Sequence, residues 1–377
     1  MTITFLTNFV NHHQIYVADE LYKYYGDGYT YVVFKPLPDW LRKGGYQELD
    51  RPYVLKAYES SANKRRAEDL AYESDVVIIG SAPEHLVRKR LKEDRITFHY
   101  NERWFKHISY KLFSPRLWAH ILSNHVKYRN KRSYMLCASA FTARDVNMVF
   151  AYPHRCFKWG YFTKVDSLDI ESILAAKRGK TRIMWCARFL KWKHPELVVK
   201  LAKKLKASGY KFEIDMFGSG EESENIKSMA KAYDVTDVLS FKGNLPNDEI
   251  LQQMRQHNIF IFTSDRHEGW GAVLNESMSN GCAVVASDKI GSVPYLLKNN
   301  VNGSIFKSGD IESLFSKVKS LLDNPNQAEI YAKEAYQTMQ NEWSPQNAAS
   351  SLITLIEHIQ DGNLKEYKKL DGPCSWA

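Results

Sequence analysis

Short apolar runs alternate with longer mixed stretches along the whole chain. In the first half, residues 3–9, 31–34, 53–57, 75–80, 96–99 and 134–138 read as strands. Near-continuous apolar runs of this length suit strands covered on both faces. Helical stretches fall between most of them, notably 62–73 and 84–93, and Asn11 can cap a helix through about Tyr24 that Gly26 and Gly28 end. Residues 162–180 read as a linker. The alternation then restarts with strands at 182–187, 211–216, 238–242, 259–262 and 283–286, and helices follow at 311–322, 327–340 and 346–359. Strand–helix alternation predicts an α/β chain with two doubly wound parallel sheets, whose ligands bind beyond the strands' carboxyl ends. At 377 residues the chain is also too long for one ordinary core.

Charge changes the picture more than composition does. Residues 1–165 carry 26 Lys and Arg against 16 Asp and Glu, whereas the remainder carries 26 against 27. An excess confined to one half is expected where only that half faces an anionic partner. Residues 103–144 concentrate it, with nine Lys or Arg, no acid, and Trp104, Phe105, Tyr110, Phe113, Trp118 and Tyr128 interleaved. Such a stretch suits an anionic membrane surface. It also suits single-stranded nucleic acid, but no RNA-binding module pattern accompanies it, so nucleic acid is not an expected partner. No run of about 18 apolar residues is present, and residues 1–20 lack a signal peptide's apolar core. Five cysteines without paired spacing read as reduced thiols in a cytoplasmic protein, and no zinc-ligand spacing or metal motif is visible.

The richest chemistry lies in residues 263–288, TSDRHEGWGAVLNESMSNGCAVVASD. A buried strand precedes a loop with Glu268, Gly269 and Gly271, and a short helical segment then runs to Asn280 with Gly281 as its stop. Free amides at a helix start favour an anion. Glu268 and Glu276 cannot bind phosphate, but carboxylates suit hydroxyl groups and can accept two hydrogen bonds from a vicinal diol. Phosphate and hydroxyl recognition together describe a nucleotide sugar.

The stretch EGWGAVLNESMSNGCAVVAS, with two glutamates eight apart, resembles the signature of glycosyltransferase family 4. That resemblance implies retaining, metal-independent enzymes of GT-B fold: two Rossmann-like domains facing across a cleft, with the last helix crossing back to the first domain after Trp343-Ser344-Pro345. It divides the chain into an acceptor domain at 1–165 with 346–377, and a donor domain at 166–345. By resemblance, Glu268 meets the donor sugar's hydroxyls and Glu276 the ribose. The backbone from Gly269 through Trp270, Gly271, Ala272 and Val273 to Leu274 meets sugar and diphosphate. Arg188 and Lys193, five apart after a strand, match a pair that reaches the diphosphate and stabilises the leaving group as its charge grows. Gly218, in Phe217-Gly218-Ser219-Gly220, matches a turn near the nucleotide, and the backbone of Gly243, Asn244 and Leu245 would lie beside the base. Thr97-Phe98-His99 matches a motif whose histidine touches the donor sugar.

The chain departs from the family in two places. Trp270 replaces the usual Phe and would favour a less polar donor such as a deoxysugar. The first strand-to-helix turn lacks the family's glycine pair, so Asn11, His12 and His13 would serve the acceptor instead, with Glu102 and Arg103 close by. The expected function is transfer of a hexosyl or deoxyhexosyl group from a UDP-, GDP- or dTDP-sugar to a glycan or lipid-linked acceptor, in surface polysaccharide or capsule synthesis on the inner face of the membrane. No cofactor is expected. The alternatives are a nucleotide-sugar epimerase of the same fold and an inactive partner subunit. A phosphorylase would need a pyridoxal-binding lysine motif that the chain lacks.

Overall fold

The computed structural model describes residues 1–10, 12–39, 49–106 and 114–377. The apolar runs pair as two wholly parallel sheets, each within its own compact unit. The first unit comprises Met1–Lys164 and Trp343–Ala377, the second Val165–Glu342.

Seven strands form the first sheet: β1 Ile3–Thr7, β2 Tyr29–Val33, β3 Val54–Lys56, β4 Val76–Ile79, β5 Thr97–Asn101, β6 Ser133–Cys137 and β7 Cys156–Lys158. Their order is β3-β2-β1-β4-β5-β6-β7, so the direction of winding reverses between β1 and β4. At that switch point Ser81 Oγ accepts from the Asn8 amide (3.1 Å) and bonds Thr7 Oγ1 (3.0 Å), joining the loops that follow the two strands. Buried Arg90 ties the opposite edge of β5 by donating to Thr97 Oγ1 and to five backbone carbonyls, including Ile96 and Ser74. A buried guanidinium is tolerable only when its donors are used in this way.

The second sheet has β8 Arg182–Cys186, β9 Glu213–Phe217, β10 Leu239–Gly243, β11 Ile259–Phe262, β12 Ala283–Ser287 and β13 Ser304–Phe306, ordered β10-β9-β8-β11-β12-β13. Its reversal lies between β8 and β11. One core face packs Trp185, Ile214 and Ile261 against Leu197, Leu201 and Leu205 of helix Pro195–Ala207.

The last long helix, Pro345–Gln360, belongs to the first unit. Ser344 caps it by accepting from the Asn347 amide, and it packs on helix Ile15–Tyr25, where Gln346 donates to Glu20 (3.1 Å). Just before it, Trp343 is fully buried and stacks near Phe162. This is the C-terminal return expected of the GT-B fold.

Three expectations change. Residues 162–180 are not an unstructured linker: helix Ile170–Lys177 forms there, capped by Asp169. Buried Lys177 anchors it by donating to the carbonyls of Gly281 (2.6 Å) and Met254 (3.2 Å). Residues 103–144 are not one amphipathic stretch, because they include the buried strand β6 and buried Tyr128. Tyr110, Phe113 and residues 107–113 generally lie outside the described residues, and helix Pro115–Asn124 carries the exposed Trp118 and Leu122. The short edge strands β7 and β13 are additional to those expected.

Candidate active site

The strand ends at the switch point of the second sheet carry the residues singled out by the sequence. A chain of hydrogen bonds fixes the loop after β8 to the loop after β11. Trp185 Nε1 donates to Thr263 Oγ1 (2.9 Å), and that hydroxyl donates to the Lys193 carbonyl (2.6 Å). The Asp265 amide donates to the Trp192 carbonyl (3.0 Å). Lys193 therefore stands at a determined height above the sheet, on the single turn Lys191–Lys193. Its ammonium pairs with the Glu268 carboxylate and lies 4.2 Å from the Trp192 ring centre. Both side chains are only about a tenth exposed, at 12% and 11%. Asp265 steadies this corner. It accepts from the His267 amide (2.8 Å) and ring Nδ1 (2.7 Å), and His194 Nε2 lies 3.4 Å away. The hydrogen bond from His194 to Glu196 raises the His194 pKa above its ordinary value, so the ring holds its proton more tightly.

Arg188 is exposed two residues beyond β8 and makes no ion pair with any described residue. Its loop is shaped by close backbone approach. Gly218 has φ +119, and a Cβ there would stand 2.0 Å from the Ala187 carbonyl oxygen. A Cβ on Gly220 would meet the Phe189 oxygen at 2.5 Å. The two glycines thus let the β9 turn pack directly on the segment bearing Arg188, with the Phe189 amide donating to the Ser219 carbonyl (3.0 Å). Asn244 Nδ2 donates to Ser219 Oγ (2.7 Å), bringing the exposed turn of Gly243 and Asn244, with half-buried Leu245, beside the same loop.

Glu276 lies on helix Val273–Ser279, half-buried. Desolvation pushes its carboxyl up to about 7, and a hydrogen bond with Asn247, just past the Gly243–Leu245 turn, pulls the other way. Cys186, at the end of β8, lies in the field of both Glu276 and Lys193, and burial pushes its thiol up to about 12. Gly271 has φ +89, and a Cβ there would strike the Phe262 ring at 2.6 Å, so only glycine fits between β11 and the helix. Gly269 is buried beside Glu268, while Ala272 and Val273 are half-buried at the helix start.

The Trp270 indole does not face a ligand. It is fully buried, Nε1 donates to Asn275 Oδ1 (2.9 Å), and its carbonyl accepts from Ser292 Oγ (2.7 Å). The expectation of a less polar donor, which rested on that ring, falls away. Leu274 is likewise a core side chain. At both positions only the backbone remains available to a donor.

In the first unit the acceptor candidates separate. His13 stacks on Tyr161 with ring centres 4.8 Å apart, and Tyr161 donates to Glu102 Oε1 (2.6 Å). Lys106 pairs with the other Glu102 oxygen. Desolvation and then neighbouring His12 hold His13 down to about 4, so it is neutral at physiological pH. Half-buried His12 adjoins this group, and Asn11 lies outside the described residues. Arg103 donates to the buried Asp145 (3.1 and 3.3 Å), which engages two of its five N–H groups in packing.

His99 also departs from expectation. It is 0% exposed, in the middle of β5, with Tyr152 and His125 packed against its ring. A ring enclosed in this way does not reach a donor sugar. Sequence reasoning missed two of these contributors, Asp265 and Tyr161. Only Asp265, inside the richest stretch, could have been found from its position.

The family match falls within the second unit. Residues 167–338 match the family described as "Glycosyl transferases group 1". An uncharacterised glycosyltransferase of Methanocaldococcus jannaschii is 24% identical over 201 residues, which is 52% of this chain and 50% of that protein. The amylovoran biosynthesis glycosyltransferase AmsK of Erwinia amylovora is 25% identical over 183 residues, 47% of this chain and 45% of its own. The chain thus spans about half the length of the curated relatives it matches. Among solved structures, Anabaena HepE in complex with UDP superimposes with a TM-score of 0.67 at 14% identity, over 96% of this chain and 99% of that one. A likeness of that extent carries the fold across both units. The chain has the GT-B fold, and residues 167–338 of its second unit resemble the group 1 glycosyl transferases.

Proposed function

We propose that the chain is a retaining glycosyltransferase that moves a sugar from a nucleoside diphosphate to an acceptor hydroxyl. The observation that carries this reading is the convergence of Arg188, the Lys193–Glu268 pair and Glu276 on the switch point of one sheet. Ligands of such sheets lie there. In this reading Glu276 accepts from the ribose diol, and Glu268 accepts from hydroxyls of the sugar. Arg188 and Lys193 meet the diphosphate, whose charge rises as the glycosidic bond breaks. The acceptor oxygen attacks the face the phosphate is leaving, and the departing phosphate oxygen takes the acceptor's proton. The sugar–phosphate bond breaks, the new glycosidic bond forms, and configuration is kept. Because two fixed cations serve the diphosphate, added magnesium or manganese should not raise turnover.

The first unit is assigned the acceptor, around His13, Tyr161 and Glu102. The relationship to an amylovoran biosynthesis enzyme supports a polysaccharide precursor, of capsule or related type, as that acceptor. Among the described residues no helix is long and apolar enough to cross a membrane. Trp118 and Leu122, 38% and 53% exposed on one helix that carries Arg116 and no acid, support reversible attachment to an anionic surface instead. Vesicles with and without anionic lipid test that part.

The main test is nucleotide release from UDP-, GDP- and dTDP-sugars with and without a glycan acceptor, with NMR assignment of the product anomer. Acceptor-dependent release with retained configuration is expected. Acceptor-independent isomerisation would replace this reading with an epimerase, and no turnover with any donor would favour a partner subunit.

A further inference from the structure

A cluster in the first unit has no part in this chemistry. Glu84 stands on the turn Glu84–Val87 after β4, His99 lies mid-strand in β5, and His125 ends helix Pro115–Asn124. One ligand-type atom from each lies within 4.8 Å of the others. His99 Nδ1 is 3.5 Å from Glu84 Oε2, and His125 Nε2 is 4.0 Å from Glu84 Oε1.

The polar bookkeeping here is unusual. Both His99 ring nitrogens and Glu84 Oε2 are buried with no hydrogen-bond partner among the described residues. A buried polar atom left unpaired costs about 1–3 kcal/mol, and native interiors contain few. His99 Nδ1 and Glu84 Oε2 face each other at 3.5 Å with neither hydrogen-bonded, which points to a missing occupant between them. His125 is already prepared for one. Its Nδ1 bonds Tyr152 Oη at 2.6 Å, leaving Nε2 directed toward Glu84. An outer hydrogen bond on one ring nitrogen, with the other on the ligand, is the usual arrangement around a bound metal. Trp104, 4.7 Å from the His125 ring, and buried Tyr152 line the surroundings.

We propose that Glu84, His99 and His125 bind one divalent transition-metal ion of the zinc class. Ligand atoms at about 2.0–2.1 Å around a tetrahedral ion stand roughly 3.3 Å from each other. The separations of 3.5 and 4.0 Å, which run to the two different Glu84 oxygens, and a spread of up to 4.8 Å among the three ligand atoms must contract toward that value when the ion binds. Two imidazoles and one carboxylate suit zinc or its neighbours in the first row, and do not suit magnesium or calcium, which take oxygen ligands. The ion would tie β4, β5 and the end of the 115–124 helix together, bracing one half of the first sheet. None of its three ligands is among the residues proposed to meet the diphosphate.

The test uses the full chain, stripped with a chelator and then titrated with zinc and with cobalt. One equivalent of zinc by elemental analysis, a visible cobalt absorption displaced by zinc, and a zinc-dependent rise in melting temperature are expected. His99→Gln and His125→Gln should each abolish the cobalt band, while substitution His358→Ala, at a half-buried histidine elsewhere in the unit, should keep it. Failure of the stripped wild-type chain to bind either ion in micromolar solution overturns the proposal without recourse to any variant. Retention of the band in both His99→Gln and His125→Gln overturns it as well, by placing the ion elsewhere.

Discussion

The elevated Glu276 carboxyl yields a test of the donor reading with a definite sign. Its folded value is about 7 against an ordinary 4.5, with burial as the cause. In the empty protein the fold favours the protonated form. The stabilisation is complete at low pH and is lost as pH rises through about 7. Each pH unit between the two values is worth about 1.4 kcal/mol, so the loss from pH 4.5 to 8 is on the order of 3 kcal/mol. A ribose diol, by contrast, needs the ionised form, which accepts two hydrogen bonds. Nucleotide binding must therefore remove the proton below pH 7. The ionised fraction rises from about one-eleventh at pH 6 to about ten-elevenths at pH 8, so affinity should strengthen about tenfold across that interval. The nucleotide's own terminal phosphate titrates nearby, so the comparison is with Glu276→Gln, which cannot ionise. Calorimetric titration of UDP and GDP at several pH values into both proteins supplies the ratio, in which the phosphate cancels. An identical pH slope in wild type and Glu276→Gln would sink both the elevated carboxyl and its contact with the diol.

Arg188 and Lys193 should separate by stability. Arg188→Ala should lower turnover by more than it weakens donor binding while leaving the melting temperature unchanged, because the side chain is exposed and unpaired among the described residues. Lys193→Met should lose turnover and also destabilise by up to about 3 kcal/mol in urea unfolding, since it strands the Glu268 charge. Gly218→Ala should cost on the order of 1–3 kcal/mol and impair turnover with little change at the ribose. Its φ of +119 and its 2.0 Å clash with the Ala187 oxygen force the Arg188 loop to move. Trp270→Phe, which removes the hydrogen bond to Asn275 Oδ1, should cost about 0.5–1.5 kcal/mol, with nucleotide affinity and donor preference unchanged. A changed donor preference there would return the ring to the binding surface.

What could be read in advance depended on how local each signal was. Strand β11 coincides with the run expected at 259–262, because four consecutive apolar residues between polar flanks leave little choice. The closing helices Ile311–Asp323 and Pro345–Gln360 lie close to the expected 311–322 and 346–359, and in the structure Asp310 and Ser344 cap them by accepting from amides two or three residues on. Helix Ile170–Lys177 was not legible, since its buried lysine is satisfied by carbonyls 77 and 104 residues away. The misplacement of His99 has a similar origin. Reading the strand as ending there put the ring at the sheet's rim, but β5 continues to Asn101, and two more residues bury it. Glu84, His99 and His125 lie on three different elements with no motif spacing, so only the fold brings them together.

The Lys193–Glu268 pair bears on how a donor can enter. At first sight an ion pair in the empty site would compete with the ligand. An ammonium, however, has three donors, and Glu268 occupies one of them. The pair keeps a mostly buried cation in place before a diphosphate arrives, without exhausting its hydrogen bonds. The carboxylate likewise keeps lone pairs for sugar hydroxyls. The Thr263 hydroxyl holds the Lys193 backbone, and the Asp265 amide holds that of Trp192. Little loop ordering therefore remains to oppose binding, and pre-organisation of this kind is where affinity is gained. It follows that Thr263→Val, which removes the hydroxyl holding the Lys193 carbonyl but leaves both charges, should weaken donor binding and turnover together. A thermal-shift series with UDP would reveal it. Unaltered affinity in that variant would mean that the charges position themselves and the hydrogen-bonded frame beneath them is only scaffolding.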